Sequence, residues 1–166
     1  YLNEPWIYSV RGNHEQLLIQ TVEDGFSGPA ARCLYENGGE WFFNMLDQGQ
    51  MSTIKAIYES FKSLPLAIEL LTPTVKIGII HAQVRYNNWD EFKKMTKPEL
   101  EWNGEATAQW ARTNYDKKLS IQVGGVDLVL VGHTPTDSGE VEVLGNVWYA
   151  DLGSFFRDKI SVVQLV

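Results

Sequence analysis

The chain is poor in what most specialised protein classes need. It has one cysteine, Cys33, in 166 residues. A lone thiol excludes a disulfide-built core and fits a reducing, cytoplasmic setting. No apolar run approaches the ~18 residues that a membrane-spanning helix requires. Lys76–His81 and Val126–Val131, among the longest apolar runs, have the length of strands, and no secretory leader is visible. Basic residues are outnumbered, 14 Lys and Arg against 21 Asp and Glu, for a net charge of −7. Such a balance argues against general nucleic-acid binding, which needs a basic face to displace counterions. CxxC pairs, an HExxH helix, a glycine-rich phosphate loop and a GxSxG elbow are all missing.

What is present describes a globular α/β domain. Hydrophobic residues make up 44% of the chain and there are six Trp, enough to build a core at this length. Trp6–Val10 reads as a strand ending in the Arg11-Gly12-Asn13 loop. Glu15–Asp24 has helical spacing and is broken by Gly25–Pro29. Ala30–Leu46 is helical with a turn at Asn37-Gly38-Gly39. Ser52–Ser63 follows as an amphipathic helix with Ser52 or Thr53 as its cap. Leu66–Leu71 and Val75–His81 read as a hairpin across Thr72-Pro73-Thr74. Val84–Asn103 reads as an irregular surface excursion with short helical pieces, and Glu105–Tyr115 as helix. The last third is mostly strand: Val126–Val131, Glu140–Leu144, Val147–Asp151 and Lys159–Val166. Helices mixed with strands favour a layered α/β fold over a bundle, in a single domain spanning 1–166.

The three histidines of the chain, His14, His81 and His133, each follow a predicted apolar strand. A single histidine in such a place is usually structural, but three of three is a pattern. Strand ends of α/β folds are where ligands bind. Neutral imidazole is a common metal ligand and the Asn13 carboxamide oxygen is a hard donor. Asn13, His81 and His133 are therefore candidates for one face of a divalent-metal site.

The same residues carry a resemblance. Arg11-Gly12-Asn13-His14-Glu15, then His81-Ala82, then Gly132-His133-Thr134-Pro135 match, in order, motifs of the phosphoprotein phosphatases in their lambda phage and bacterial branch. Asn37-Gly38-Gly39-x-Trp41-Phe42, Leu64-Pro65, Trp110-x-Arg112 and Tyr149-x-Asp151-x-Gly153 fall between and after them. The resemblance implies a calcineurin-like metallophosphatase fold, a layered α/β/β/α sandwich of mixed sheets. It implies Asn13, His81 and His133 as ligands of one metal, Mn2+ before Fe, Zn or Co, in a site that is dinuclear in the family. His14 would be the general acid, and Arg112, with Arg11 as a weaker candidate, would clamp phosphate oxygens. Asp151 would support the site by hydrogen bonding, although Leu152-Gly153 replaces the family's Thr-Gly after it. Arg11 has an alternative role as a structural partner of an acidic group, Arg112 as a solvated helix residue, and the aromatics around position 41 as core.

The family also uses a DxHG and a GDxxDRG segment ahead of RGNHE, and neither occurs in this sequence. The chain begins at Tyr1, which reads as a cut end. The expectation is a fold incomplete at the N-terminus, at best one weak metal site, no turnover by this stretch alone, and self-association through exposed sheet edges. The implied substrates are phosphoproteins or phosphopeptides. Two alternatives stand beside this reading. One is a symmetrical diadenosine tetraphosphate hydrolase, with Tyr86, Trp89 and Phe92 as a base-stacking platform. The other is a non-catalytic remnant or partner-binding module.

Overall fold

The computed structural model describes residues 6–94 and 108–164. The chain divides into two compact units, Tyr1–Pro65 and Leu66–Val166, each taken here by itself.

The first unit is helical. α1 (Asn13–Glu23), α2 (Gly28–Glu36), α3 (Glu40–Asp47) and α4 (Met51–Ser63) are joined by short turns. Leu17, Leu18, Leu34, Phe42 and Ile54 are its fully buried apolar side chains, and Phe42 stacks against Phe26 at 6.2 Å. The aromatic stretch near position 41 is thus core at Phe42, while Trp41 stays half exposed. α1 starts two residues before Glu15 because that side chain caps it: Gly12 N–H donates to Glu15 Oε2 at 2.8 Å. α4 is capped by Gln50 rather than Ser52 or Thr53. The Gln50 carbonyl accepts from the amides of Thr53 and Ile54, which carries the helix back past both hydroxyl residues.

The expected strand Trp6–Val10 is not one. Ile7–Arg11 carries no ladder, Trp6 and Tyr8 are exposed, and Arg11 N–H donates to Pro65 O at 2.8 Å. A β-branched, aromatic composition makes a strand only where another strand pairs with it, and none does so among the described residues.

The second unit is built on a five-stranded mixed sheet of order β1-β2-β3-β5-β4. β1 (Ala67–Leu71) and β2 (Lys76–Ile80) form the expected antiparallel hairpin. Its turn is closed by Thr72, whose hydroxyl accepts from Val75 N–H at 2.9 Å. β3 (Leu128–Val131) lies parallel to β2, and β5 (Val147–Tyr149) parallel to β3. β4 (Glu142–Leu144) pairs antiparallel with β5 across Gly145-Asn146. Positive φ falls on Gly145 (69°) and not on Asn146, the pattern of a type II′ turn, which suits the twist of a hairpin. The α/β class with a mixed sheet is therefore as expected.

Three expectations for this unit need correction. Val84–Asn103 is no surface excursion where it is described. A 3-10 turn (Arg85–Asn87) leads into α5 (Trp89–Lys93), and Val84, Trp89 and Phe92 are buried beside Val129 and Val131 in the main core. Burying a fully apolar indole face repays more free energy than exposing it. Only Tyr86 of the three aromatics proposed as a stacking platform is exposed; residues 95–103 lie outside the described residues. Glu105–Tyr115 is not one helix: 105–107 lie outside the described residues, Ala108–Trp110 is a turn, and only α6 (Thr113–Asp116) is helical. The Ala108 carbonyl accepts from Ala82 N–H at 2.9 Å instead of from the next helical turn. Finally, Lys159–Gln164 is not strand. α7 (Ser154–Arg157) precedes it, bounded by left-handed Gly153 and Asp158, and Ser161 Oγ donates to Ala150 O; residues 165–166 lie outside the described residues.

Candidate metal and phosphate site

In the second unit, β2, β3 and β5 run parallel, so their C-terminal ends meet at one side of the sheet. The register sets Ile80 against Val131 and Val131 against Tyr149. His81, His133 and Asp151 therefore follow three neighbouring strand ends, the place where open α/β sheets bind ligands. The ladder continues one step further, with Gly132 N–H donating to His81 O at 2.9 Å and Ala150 N–H to Val131 O at 2.8 Å.

His133 is held on an unusual backbone. Its φ is +65°, and Thr134 N–H donates to Gly132 O at 2.7 Å. That is a three-residue turn with its central, non-glycine residue at positive φ, a conformation that costs about 1–3 kcal/mol and concentrates at functional sites. Two features secure it from the far side. Thr136 N–H donates to Asp151 O at 2.9 Å, and Arg157 Nη1 donates to Thr136 O at 2.6 Å.

The result brings the two imidazoles together. His81 Nε2 and His133 Nδ1 are 3.2 Å apart, and the rings are tilted by 54°. Two imidazole nitrogens bound side by side to one divalent ion at ~2.1 Å stand roughly 3.0–3.4 Å apart, for angles between octahedral and tetrahedral. The pair fits an ion by that measure. Arg112 joins it: Nε lies 3.3 Å from His133 Nε2, and Nη2 donates to His133 O at 3.4 Å. Arg112 is exposed, as the alternative reading has it, but stands just ahead of α6 rather than inside a long helix. Asp151 uses its carboxylate locally, accepting from Gly153 N–H at 2.8 Å; it orders the strand-end loop.

Trp110 is the residue that sequence reasoning gave no role. Its main-chain carbonyl lies 3.2 Å from His133 Nε2, and its ring meets the His133 ring edge-on at 6.0 Å. A carbonyl that serves a function leaves no signature in the residue type. The loop after His81 is similarly fixed by polar side chains, with Asn114 N–H donating to Gln83 Oε1 at 3.1 Å.

In the first unit the RGNHE motif divides its labour. Glu15 caps α1. Arg11 caps the end of α4, donating to Leu64 O from Nε (3.3 Å) and Nη2 (3.0 Å), to Lys62 O at 3.2 Å and to Gln16 Oε1 at 3.2 Å. Burial pulls the Arg11 pKa down, against the pull of Glu23 in the other direction. The described acceptors of its guanidinium are all carbonyl oxygens, those of Leu64, Lys62 and the Gln16 side chain. Asn13 is buried and His14 exposed, both in the first turn of α1. Peptide dipoles aligned along α1 leave that end partly positive.

Among the described residues no three His, Cys, Asp or Glu side chains gather in one place. No described helix is long and apolar enough to cross a membrane.

Comparison with known proteins agrees with the motifs. The sequence is 29% identical over 164 residues to serine/threonine-protein phosphatase 2 of Escherichia coli (strain K12), covering 99% of this chain and 70% of that protein. It is 26% identical over the same span to the phosphatase of that name from Salmonella typhimurium, again with 70% of the relative covered. Serine/threonine-protein phosphatase 1 of Salmonella typhimurium is 25% identical, with 68% of it covered. The profile of the calcineurin-like phosphoesterases matches residues 1–137. The chain belongs to the calcineurin-like phosphoesterase family, whose members use divalent metal ions.

Proposed function

We propose that the protein is a metal-dependent hydrolase of phosphate monoesters, acting on phosphoserine and phosphothreonine in proteins, with phosphotyrosine as a second substrate class. The observation that carries this reading is the His81–His133 pair at adjacent parallel strand ends, with Arg112 on the same ring. His81, His133 and Asn13 would hold the ion, Mn2+ in the first instance and Fe, Zn or Co as alternatives. A bound divalent ion there supplies positive charge for phosphoryl oxygens and acidifies water. Arg112 offers a planar fork of donors to the phosphate oxygens, which a lysine could not match. His14, exposed at the first turn of α1, would hand a proton to the departing alkoxide or phenoxide. Arg11 serves this chemistry indirectly, by anchoring the loop that carries Asn13 and His14. Asp151 does so by ordering the turn beside His133.

The 166 residues contain no DxHG or GDxxDRG segment, so they offer one ion's ligands and no bridging carboxylate. Alone they are expected to bind Mn2+ and to leave para-nitrophenyl phosphate intact. Joined to a segment that supplies the two motifs, the protein should hydrolyse phosphopeptides with Mn2+. His14→Asn should then lower kcat by about 10²–10⁴-fold. Faster turnover of diadenosine tetraphosphate than of a phosphopeptide would move the substrate assignment to the dinucleotide hydrolases. Metal binding without turnover of either would leave a binding module.

A further inference from the structure

His133 sits at a φ of +65°, and a non-glycine residue persists there only where its surroundings over-determine the backbone. The segment that follows it, through Asp137, is the part that must be held. Arg157 holds it. Nη1 donates to Thr136 O at 2.6 Å and to Leu152 O at 3.3 Å, and Nη2 reaches Asp137 O at 3.5 Å. Thr136 and Asp137 follow β3, and Leu152 follows β5. One guanidinium thus ties together the loops that leave two neighbouring parallel strands. Thr136 N–H strengthens the same tie by donating to Asp151 O at 2.9 Å.

The place for that guanidinium is built from both sides. Arg157 closes α7, and its own N–H donates to Gly153 O at 2.8 Å. The Phe156 ring centre lies 5.0 Å from the guanidinium carbon, within the range of a cation–π contact. A Cβ added at Gly139 would meet Nη1 at 3.3 Å and Cδ at 3.6 Å, so this glycine leaves the fork its room. Gly139 N–H donates to the same Thr136 carbonyl at 3.3 Å. The three acceptors of the fork are main-chain carbonyls. The Thr136 hydroxyl takes no part, being buried with no hydrogen-bond partner among the described residues. Arg157 is recruited by backbone geometry, and no motif read from the sequence includes it. A planar fork of five donors can serve carbonyls on two loops at once, which a compact ammonium group does less well.

We propose that Arg157 is a positioning residue for the metal site: it clasps the loops after β3 and β5 and so holds the His133 turn in the conformation that sets its ring beside His81. The inference rests on reading His81 and His133 as metal ligands. Arg157 acts through the main chain from His133 to Asp137 and not by contact with metal or phosphate. Where loss of the clasp leaves the turn formed in roughly a tenth to a third of the molecules, the apparent metal affinity falls by about three- to tenfold.

The test uses the whole 166-residue chain, at temperatures where far-ultraviolet dichroism shows each variant folded. In metal-free Arg157→Gln the HN–Hα coupling and backbone shifts of His133 should leave their left-handed values. Cobalt(II), titrated by its visible absorption, should bind that variant about three- to tenfold more weakly than the parent. Arg157→Lys keeps the charge without the fork and should fall between the two on both readouts; it carries the comparison if Arg157→Gln does not fold. A His133 turn that stays left-handed without the fork would overturn the proposal. A relaxed turn with parental cobalt affinity would overturn it as well, because Arg157 would then serve structure alone. Cobalt binding that is indifferent to His81→Ala would instead overturn the ligand assignment, and the positioning role with it.

Discussion

Glu142 shows how a single side chain can hold several elements. Ser138 N–H donates to its Oε1 at 3.0 Å, and Lys118 Nζ and Tyr115 Oη reach its Oε2 at 3.2 and 3.0 Å. The Ser138 amide is the largest influence on its acidity; burial acts the other way but is outweighed, with Lys118 and Tyr115 adding to the amide, and the pKa falls to about 2. A folded-state pKa depressed below the unfolded value means stability that is present above pH ~4.5 and lost as pH falls toward 2. Glu142→Gln should therefore melt at a lower temperature than the parent at pH 7, and the gap should close between pH 4.5 and 2. Thermal melts of both proteins across that range check it. A gap independent of pH would mean that shape, and not the charge, holds the cluster. Tyr115 Oη also accepts from Asp137 N–H at 2.6 Å, so the same cluster steadies the loop that follows His133.

At the scale of elements, β2 is where packing and site depend on each other. A Cβ added at Gly78 would meet the Trp89 indole at 2.7 Å, closer than packed atoms approach. The indole is itself pinned, donating from Nε1 to Glu69 Oε2 at 2.7 Å, so it cannot retreat cheaply. Gly78→Ala should cost about 1–3 kcal/mol by overpacking. It should also disturb His81, three residues on, whose main chain extends the β2–β3 ladder. Denaturant unfolding would give the first effect, and the His81 ring signals the second. Legibility in the sequence followed the same division. The hairpins and the first-unit helices were readable because turn residues and apolar periodicity are local signals. His81 and His133 were readable because their strand ends are visible as Ile79-Ile80-His81 and Leu130-Val131-Gly132-His133, whereas the strand expected before His14 does not form. What stayed hidden depended on distant partners. Trp6–Val10 has strand composition without a ladder. Trp89 and Phe92 look like surface aromatics until the sheet beneath them is known. The Trp110 carbonyl has no side-chain signature, and Arg11 spends its fork on α4 carbonyls fifty residues away in sequence, which no motif announces.

For the whole molecule, the sheet raises the question of what completes it. Among the described residues β1 pairs only with β2, and β4 only with β5, so each leaves one row of main-chain donors and acceptors unpaired. Unpaired edges recruit other strands unless they are short, charged or covered. β4 is three residues long and thereby a poor template. β1 has five and ends in Leu70 and Leu71, the latter 72% exposed. Glu69 is the one charge within it, and that carboxylate is occupied by Lys76 and Lys93, leaving little to repel a second strand. The expected outcome is reversible self-association of the 166-residue chain through β1, favoured by salt because the net charge of −7 keeps copies apart at low ionic strength. Sedimentation across a concentration series should show a monomer–dimer equilibrium, and Leu71→Lys should weaken it by about tenfold or more while leaving the far-ultraviolet dichroism unchanged. A monomer at every concentration and salt would mean that β1 is already covered. A dimer indifferent to Leu71→Lys would move the contact away from β1, and Ile160→Lys would test a second exposed apolar run, Phe155, Phe156, Ile160 and Val162.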